Sequence, residues 1–419
     1  MKLSKIEVAL LTISLFSSIF FFGYNIITGR IYGGASSDNS YISFMMIVDI
    51  IPLYLFVKFS FSGNSQKNVW PIILALAVLI TIYGIGVGTN DISFKSLLAF
   101  SFPAALVGIL IAKSNTGPLF AKYLEVVMLF LTVVGVVSMR HLLSVEELRG
   151  VQEEGIGINS LSYYCGFAFA LNLYFLFFGD ELAERFKYAK TSLYKYFSIG
   201  LLVVQFVVGL SSGGRGGFLL LLFSGIIMVY LRLKRHSAKS RNSFFTFILL
   251  FFAVIISIQF MPQSLVDSMS RGSERTFSYL SGGTIDASAT SNRDIVYDAA
   301  INSIKESPII GYGLLMKGTP FYGDRPHNIF LEVLLQGGVI YLLLFLLFVF
   351  SLINKMRRLI RQGHGLYMIP IALYPFVMLM FSASYIVSDL FWFVISYILC
   401  YDIKDHSKVN FTTLGTIKQ

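Results

Sequence analysis

The sequence predicts an all-α polytopic membrane protein with about 12 transmembrane helices of roughly 20 apolar residues each and one large, partly helical extracytoplasmic loop. Of the 419 residues, 55% are hydrophobic and only 13% are charged, and the mean hydropathy is +0.72. A soluble domain carries about 25% charged residues, so much of this chain's surface must face lipid. The 40 Phe and 23 Tyr residues agree with this, because Phe suits hydrocarbon and Tyr suits the membrane interfaces.

Long apolar runs divide the chain. Residues 1–262 hold the first nine spans, residues 263–327 form the large loop, and residues 328–419 hold the last three spans and a tail. The last two spans are so closely spaced that eleven or thirteen spans also fit. No small-residue cleavage site follows the first run, so we interpret it as a retained helix rather than a signal peptide. The predicted spans are 7–28, 41–57, 70–88, 92–112, 119–139, 159–179, 193–210, 216–231, 243–261, 328–353, 366–383 and 385–401.

The basic residues predict the orientation. With the N-terminus in the cytoplasm, 22 of the 33 Lys and Arg residues fall in inside segments, as the positive-inside rule requires. Both termini are then cytoplasmic. The formal charge of +10 does not indicate a nucleic-acid-binding protein, because the cations lie in short loops between apolar runs. Cys165 and Cys400 lie inside apolar runs, which argues against a disulfide framework or a cysteine metal site.

The large loop contains a predicted amphipathic helix at residues 291–306. Ser291 or Asn292 can cap its N-terminus, and Pro308 with the glycines after it ends the helix. One apolar stripe runs along it, formed by Ile295, Val296, Ala299, Ala300 and Ile304. Loops as long as this one are usually functional.

Arg215 follows a Ser-Ser-Gly-Gly turn at the outer mouth of the eighth span. Glycines let backbone approach a ligand closely, the amides at a helix N-terminus attract anions, and a guanidinium adds a bidentate phosphate donor. The competing interpretation is an interfacial arginine that reaches the lipid headgroups. The turn alone does not decide between them.

Arg293 and His327 are two further candidates on the predicted outer face. Arg293 begins the loop helix, where a cation opposes the helix dipole unless an anion lies between them. The alternative is a solvated charge paired with Asp294 or Glu274. His327 precedes the tenth span, and its imidazole can accept a proton from a sugar hydroxyl or hydrogen-bond a phosphate, although a lone interfacial histidine is more often structural. We find no zinc signature and no acidic metal motif beside it.

Polar residues near or inside the spans form a second tier of candidates. Asp49 lies mid-way through the second span, where an ionised carboxylate is costly, and the alternative is a structural pairing with a group such as Asn172, Gln205 or Gln259. Glu332 and Asp389 lie near the outer ends of their spans, where either can compensate an arginine. The predicted substrate-binding residues, ranked below the three basic ones, are Arg325, Asn328, Glu332, Tyr297 and Asp49.

Three motifs follow one another between residues 211 and 345. SSGGRGGFLLLL carries an arginine–three residues–leucine pattern at Arg215 and Leu219, and PHNIFLEVLLQGGVIYLLL carries a histidine–ten residues–glycine pattern at His327 and Gly338. Between them, SNRDIVYDAAINSIKESPIIGYG is an arginine-bearing helix followed by a proline and glycines. In this order, and all on the predicted outer face, the motifs resemble those of the O-antigen polymerase and O-antigen ligase superfamily.

The resemblance implies a multi-helical membrane glycosyltransferase of the bacterial inner (cytoplasmic) membrane. It implies a polyprenyl-diphosphate-linked oligosaccharide as donor, transfer at the periplasmic face, and no metal or other cofactor. Arg215 and Arg293 would then stabilise the diphosphate leaving group in a water-poor cleft. His327 would orient or deprotonate the attacking sugar hydroxyl, or contact the diphosphate. The implied partners are the lipid-linked donor and acceptor, the bilayer and a chain-length regulator.

Polymerase and ligase share these motifs and differ in the acceptor, which is another lipid-linked repeat or lipid A–core. A chain rich in Phe and Ile with little beyond the core motifs favours a polymerase, because polymerases vary with their glycan. A flippase or other transporter of lipid-linked oligosaccharides is the alternative from another class. Transporters commonly show repeated halves, and no repeat is visible here. A scaffold or sensor would leave the three basic residues unexplained.

Overall fold

A computed structural model of the chain describes residues 3–28, 39–61, 101–144, 158–182, 184–212, 214–235, 263, 293–313, 326–363 and 365–402. Within these ranges every regular element is a helix. The predicted spans 70–88 and 243–261 lie outside the described residues. The α-helices are α1 (Lys5–Leu15), α2 (Ser17–Thr28), α3 (Asn39–Phe61), α4 (Phe102–Lys113), α5 (Gly117–Ser144), α6 (Ile158–Phe178), α7 (Ser192–Ser211), α8 (Arg215–Arg235), α9 (Arg293–Glu306), α10 (Ile329–Arg361), α11 (Met368–Phe381) and α12 (Asp389–Cys400).

Five of the described helices, namely α5, α6, α7, α8 and α10, are long and apolar enough to cross a membrane. The count becomes six if the bent pair α1 and α2 forms one span. Helices α4, α11 and α12 are apolar but shorter. The described part of the chain is therefore that of a helical membrane protein, and the number of 12 spans stays a prediction.

Two predicted spans are not continuous helices. The span expected at 7–28 is divided at Phe16 into α1 and α2, whose axes differ by 69°. The span expected at 328–353 corresponds to α10, which contains non-helical backbone at Gly337 and Gly338. Apolarity alone does not reveal such breaks, because the residues on both sides remain hydrophobic.

Helix α6 lies at the centre of the bundle and packs against α5, α7, α8 and α11. Its most apolar stretch is 89% buried, as expected for a helix that is hydrophobic on all sides. The buried amide of Asn172 is paired across helices, because its Nδ2 donates to the Ser198 carbonyl at 3.0 Å and to Gln205 Oε1 at 3.1 Å. Gln205 Nε2 in turn donates to Thr132 Oγ1 at 2.7 Å. Two of the three amides considered as partners of Asp49 thus bind each other and join α5, α6 and α7, and the third, Gln259, lies outside the described residues.

The short helices α4 and α12 pack against each other with almost no space between their backbones. A Cβ on Gly108 of α4 would lie 2.5 Å from the Phe393 carbonyl oxygen and 3.0 Å from the Tyr397 nitrogen of α12. A small residue is what permits this close approach in a membrane bundle. The pair forms one side of the core.

The two ends of the bundle differ in chemistry. The C-termini of α6, α8, α10 and α12 lie at one end, which we call the basic end, and their N-termini lie at the other, which we call the site end. Ion pairs collect at the basic end: Arg185–Glu125 (3.1 Å), Lys113–Asp402 (3.0 Å), Arg235–Glu181 (2.9 Å) and Lys195–Asp180 (3.0 Å). The positive-inside rule predicts that this end is cytoplasmic.

Candidate active site

Arg215 is the first residue of α8 and is half-buried at the site end. The turn before it is held against α6, since Ser162 Oγ donates to the Gly214 carbonyl at 3.1 Å and lies 3.4 Å from that of Gly209. The hydroxyl of Ser212, which caps α7, also donates to the Gly209 carbonyl at 2.8 Å. The backbone that carries the guanidinium is therefore fixed by its neighbours at the N-terminus of α8, where the helix dipole attracts anions.

Gly216 and Gly217 allow α8 to pack directly on α6. A Cβ on Gly216 would lie 1.8 Å from Tyr163 Oη, and a Cβ on Gly217 would lie 1.6 Å from Ser162 Oγ. No side chain fits at either position. We expected the glycines before Arg215 to let a ligand approach the backbone closely. The glycines after Arg215 allow a neighbouring helix to approach closely.

The connector between α11 and α12 (residues 382–388) joins the start of α8 to the start of α10. Tyr163 Oη, which abuts Gly216, forms a 3.0 Å hydrogen bond with Ser382 Oγ at the end of α11. Two residues later, Ser384 Oγ donates to the carboxylate of Glu332 in the first turn of α10. The elements that carry Arg215 and His327 are thus linked through three side-chain contacts at the site end.

A second layer of hydrogen bonds fixes the connector itself. Tyr385 Oη donates to Gln336 Oε1 and lies 3.3 Å from Tyr341 Oη, both on α10. Trp392 Nε1 of α12 donates to the Tyr385 carbonyl at 2.8 Å, and Ser101 Oγ donates to the Ile386 carbonyl. Backbone that leaves a helix inside a membrane bundle must have its polar groups satisfied by protein, and these side chains do so.

His327 and Asn328 form the entry into α10. Asn328 is the N-cap, and its Oδ1 accepts hydrogen bonds from the amides of Phe330 at 3.0 Å and Leu331 at 3.3 Å. His327 has a left-handed backbone with φ of 51° and is half-buried. Residues other than glycine seldom adopt this conformation, and strained backbone of this kind clusters at functional sites.

The PIIGYG turn (residues 308–313) docks into the break of α10. At the break, the carbonyls of Leu335 and Gln336 and the amide of Val339 are released from the helical pattern and pair with the turn. The hydrogen bonds are Tyr312 N to Leu335 O (2.8 Å), Gly313 N to Gln336 O (2.7 Å) and Val339 N to Pro308 O (2.8 Å). The turn therefore replaces the hydrogen bonds that the helix loses.

Two glycines with positive φ make this docking possible. Gly338 has φ 62° and ψ −160°, and a Cβ on it would lie 2.3 Å from the carbonyl carbon and oxygen of Ile309. Gly311 has φ 61°, and its Cβ would lie 2.6 Å from the Gly337 nitrogen and the Leu335 oxygen. The glycine of the histidine–ten residues–glycine pattern therefore has a structural reason: it lets another segment of backbone enter the helix.

The docked turn holds α9 against the first half of α10. Ala300 and Leu335 are buried together, with Val296, Ala299 and Ile304 packed around them, so four residues of the predicted apolar stripe face α10, while Ile295 is 64% exposed. Tyr312 Oη donates to the Ser303 carbonyl at 3.0 Å and lies 3.3 Å from Glu306 Oε2. Burial and the Glu306 carboxylate raise the pKa of Tyr312.

The remaining predicted site residues lie in different places. Arg293 is the first residue of α9, and Tyr297 is half-buried one turn later. The side chain of Arg293 and the whole of Arg325 lie outside the described residues, so the predicted convergence of the two arginines stays a prediction. Asp49 lies on α3 and shares a small cavity with Asp389, the residue that follows the connector. In the described part of the chain, no group of three or more His, Cys, Asp and Glu residues could hold a metal ion.

Residues 200–349 match the family model described as O-Antigen ligase. This segment, about a third of the chain, is therefore similar to the O-antigen ligase family. The matched segment runs from α7 into α10 and includes Arg215, Arg293, His327 and Gly338. The similarity supports, in general terms, a membrane enzyme of the glycosyltransferase type. Comparisons with curated proteins and with solved structures found no match.

Several residues that support the site were missed in the sequence. Tyr163, Ser382 and Ser384 are ordinary hydroxyl residues within or between apolar runs, and only the tertiary structure gives them partners. The one available signal was the close spacing of the last two predicted spans, 366–383 and 385–401, because one residue between two full spans is too few for a turn; the structure shortens both helices and places the connector at 382–388. The buried ion pair of Glu125 and Arg185 was also missed, although a carboxylate inside the fifth predicted span was a visible signal.

Proposed function

We propose that the protein is a surface-polysaccharide (O-antigen) polymerase that joins polyprenyl-diphosphate-linked oligosaccharide repeats at the periplasmic face of the inner membrane. The observation that carries the proposal is the chain of contacts from Gly216 through Tyr163 and Ser382 to the connector, and from Ser384 to Glu332. It supports a shared site for Arg215 and His327, which are far apart in sequence and belong to two different motifs.

The chemistry needed is the transfer of a glycan from a diphosphate to a sugar hydroxyl. The hydroxyl oxygen of the acceptor forms a bond to the anomeric carbon of the donor, and the bond from that carbon to the diphosphate oxygen breaks. The electron pair leaves with the diphosphate, and the hydroxyl proton passes to a base. Fixed cations where this charge develops stabilise the transition state, which is the role we assign to Arg215 and Arg293.

His327 has two possible tasks in this scheme. Its imidazole can accept the hydroxyl proton as a general base, or it can hydrogen-bond the diphosphate. The cap of Asn328 and the bond between Ser384 and Glu332 hold α10 rigid directly after it. Either task benefits from this, because precise placement of a catalytic group requires a rigid support.

The activity test uses three alanine variants and a matched control. Arg215→Ala and Arg293→Ala should each slow chain extension by about 10²–10³-fold, the usual loss for one preorganised charge donor. His327→Ala should slow it by about 10²-fold or more. Arg357→Ala is the control, because Arg357 is an exposed arginine near the C-terminus of α10. Polymer is followed with purified protein and lipid-linked repeats, and full activity in all three variants would refute the site.

The ligase is the second candidate, and the description of the matched family model favours it. Deleting the gene distinguishes a polymerase from a ligase, because the two losses leave different lipopolysaccharide on the cell surface. Lipid A–core molecules that carry a single oligosaccharide repeat indicate that polymerase activity was lost. Bare cores together with intact lipid-linked polymer indicate a lost ligase, and would overturn our choice of acceptor.

A further inference from the structure

A small cavity lies where the bend between α1 and α2 meets α3 and the start of α12. Ser14 and Ser17 from the bend, Asp49 from α3 and Asp389 from α12 line it. Its volume is about 10 Å³, which is room for one water-sized species. None of these residues belongs to the three motifs of the proposed active site.

The cavity lies deep in the bundle. Helix α1 starts at the basic end, where Tyr123 Oη donates to the Lys5 carbonyl at 3.1 Å. At a rise of 1.5 Å per residue, Ser14 lies about 14 Å further along the helix. That distance is about half of a hydrocarbon core of roughly 30 Å. The two carboxylates therefore face each other at a depth where charge is costly.

The two carboxylates have unequal support. Asp389 is the first residue of α12, where the helix dipole favours a negative charge, and it accepts hydrogen bonds from Ser18 Oγ at 3.1 Å and the Leu390 amide at 2.7 Å. Asp49 has no hydrogen bond or ion pair with any residue that the structure describes. Two like charges around one small cavity cannot both be ionised without a cation between them.

The hydroxyl of Ser14 is the independent indication of a ligand. Ser14 is 5% exposed and lines the cavity, and its Oγ has no hydrogen-bond partner within the described ranges. A buried hydroxyl without a partner is rare and needs an explanation. Carboxylate and hydroxyl oxygens are the ligands that hard cations prefer, and cation sites in membrane proteins are commonly built beside broken helices, as here.

We propose that this cavity binds one Na⁺ ion, with oxygens of Asp49, Asp389 and Ser14 as ligands. The single charge offsets one carboxylate, and the small cavity suits an ion without its water shell. Mg²⁺ fits poorly, because it usually retains several waters. The ion ties the bend of α1 and α2 to the start of α12, directly after the connector. Its binding does not depend on the proposed polymerase activity.

Thermal unfolding of the purified full-length protein tests the proposal. The midpoint should rise with NaCl concentration but not with choline chloride at equal ionic strength, because a ligand that binds only the folded state stabilises it. Asp49→Asn should abolish this difference. Ser14→Ala, a mild change in a helix, should raise the NaCl concentration for half-maximal stabilisation by about tenfold. Asp402→Asn is the matched control, since Asp402 is an exposed carboxylate at the basic end, and it should respond to Na⁺ as the wild type does.

Three outcomes would overturn the proposal. The first is an equal midpoint in NaCl and choline chloride. The second is a midpoint that changes with pH but not with Na⁺, which would mean that the two carboxylates share a proton instead. The third is a Na⁺ response that survives in both Asp49→Asn and Ser14→Ala. If Asp49→Asn fails to fold, Ser14→Ala and the choline comparison still decide.

Discussion

Replacing Gly338 by alanine should release the PIIGYG turn from α10 without unfolding the bundle. The new Cβ would lie 2.3 Å from the backbone of Ile309, which is too close for any adjustment of a side chain to relieve. The turn must then move away from the helix break. Helix α9 should move with it, because its own contact with α10 is a small cluster around Ala300 and Leu335 that is separate from the main core.

The magnitude follows from the geometry at the break. Alanine at φ 62° and ψ −160° carries a strain of about 1–3 kcal/mol, since this region is almost exclusive to glycine. Undocking also breaks the hydrogen bonds from Tyr312, Gly313 and Val339, each with a net contribution of about 0.5–1.5 kcal/mol. These hydrogen bonds are lost whenever the turn undocks, in the wild type as in the variant, so the backbone strain sets the minimum destabilisation of the docked state, about 1–3 kcal/mol, and the clash with Ile309 adds to it. That corresponds to about a 5- to 150-fold change in the docking equilibrium, because 1.4 kcal/mol is a factor of ten.

Hydrogen–deuterium exchange measured by mass spectrometry is the assay. Peptides that contain the amides of Tyr312, Gly313 and Val339 should lose protection, while peptides from α6 should not change. Chain extension should fall in parallel, because Arg293 is carried by α9. Gly313→Ala is the matched control: Gly313 also has positive φ, 83°, but a Cβ on it would meet nothing within 4 Å. Unchanged protection in Gly338→Ala, or equal damage in Gly313→Ala, would refute this account of the glycine.

Two other predictions concern side-chain contacts at the two ends of the bundle. Arg185→Ala should lower the free energy of unfolding by about 3–5 kcal/mol, because it leaves the fully buried Glu125 without its ion pair. The denaturation midpoint measures this loss, and the double variant Glu125→Leu with Arg185→Met should recover most of it. A midpoint that does not recover would contradict the pairing. Tyr163→Phe should remove the hydrogen bond to Ser382, lower the free energy of unfolding by about 0.5–1.5 kcal/mol and slow chain extension. Tyr401→Phe is the control at the basic end, where the tyrosine bonds Asn115, and it should leave the rate of chain extension unchanged. Equal rates for the two tyrosine variants would contradict the role of the connector.

The sequence was sufficient to locate the helices that begin and end on local signals. Spans predicted at 159–179 and 193–210 correspond to Ile158–Phe178 and Ser192–Ser211, because an apolar run and its polar flanks mark both ends. The break of α10 was not predictable in this way. Two glycines in an apolar run are compatible with a continuous membrane helix, and the break forms only because a turn some 25 residues earlier in the chain docks there.

The residues of the candidate site also fall into two groups, those that a local sequence pattern could identify and those that it could not. Arg215 and His327 could be selected because each stands at the start of a helix, within a local pattern. Tyr163 and Ser382 could not, since their contact joins residues 219 positions apart and neither has a distinctive neighbour in sequence. Their roles follow from how α6 and α11 pack, which no local pattern encodes.

The shortness of α11 and α12 has a consequence for how a lipid-linked substrate would reach the enzyme. With 12 residues, α12 extends about 18 Å from the basic end, well short of a hydrocarbon layer of roughly 30 Å. With the basic end at the inner interface, the connector at 382–388 would lie about 10 Å below the opposite surface of the hydrocarbon layer. We expect a polyprenyl chain to remain among the acyl chains while its diphosphate reaches the connector at that depth, so that only the sugars project into water.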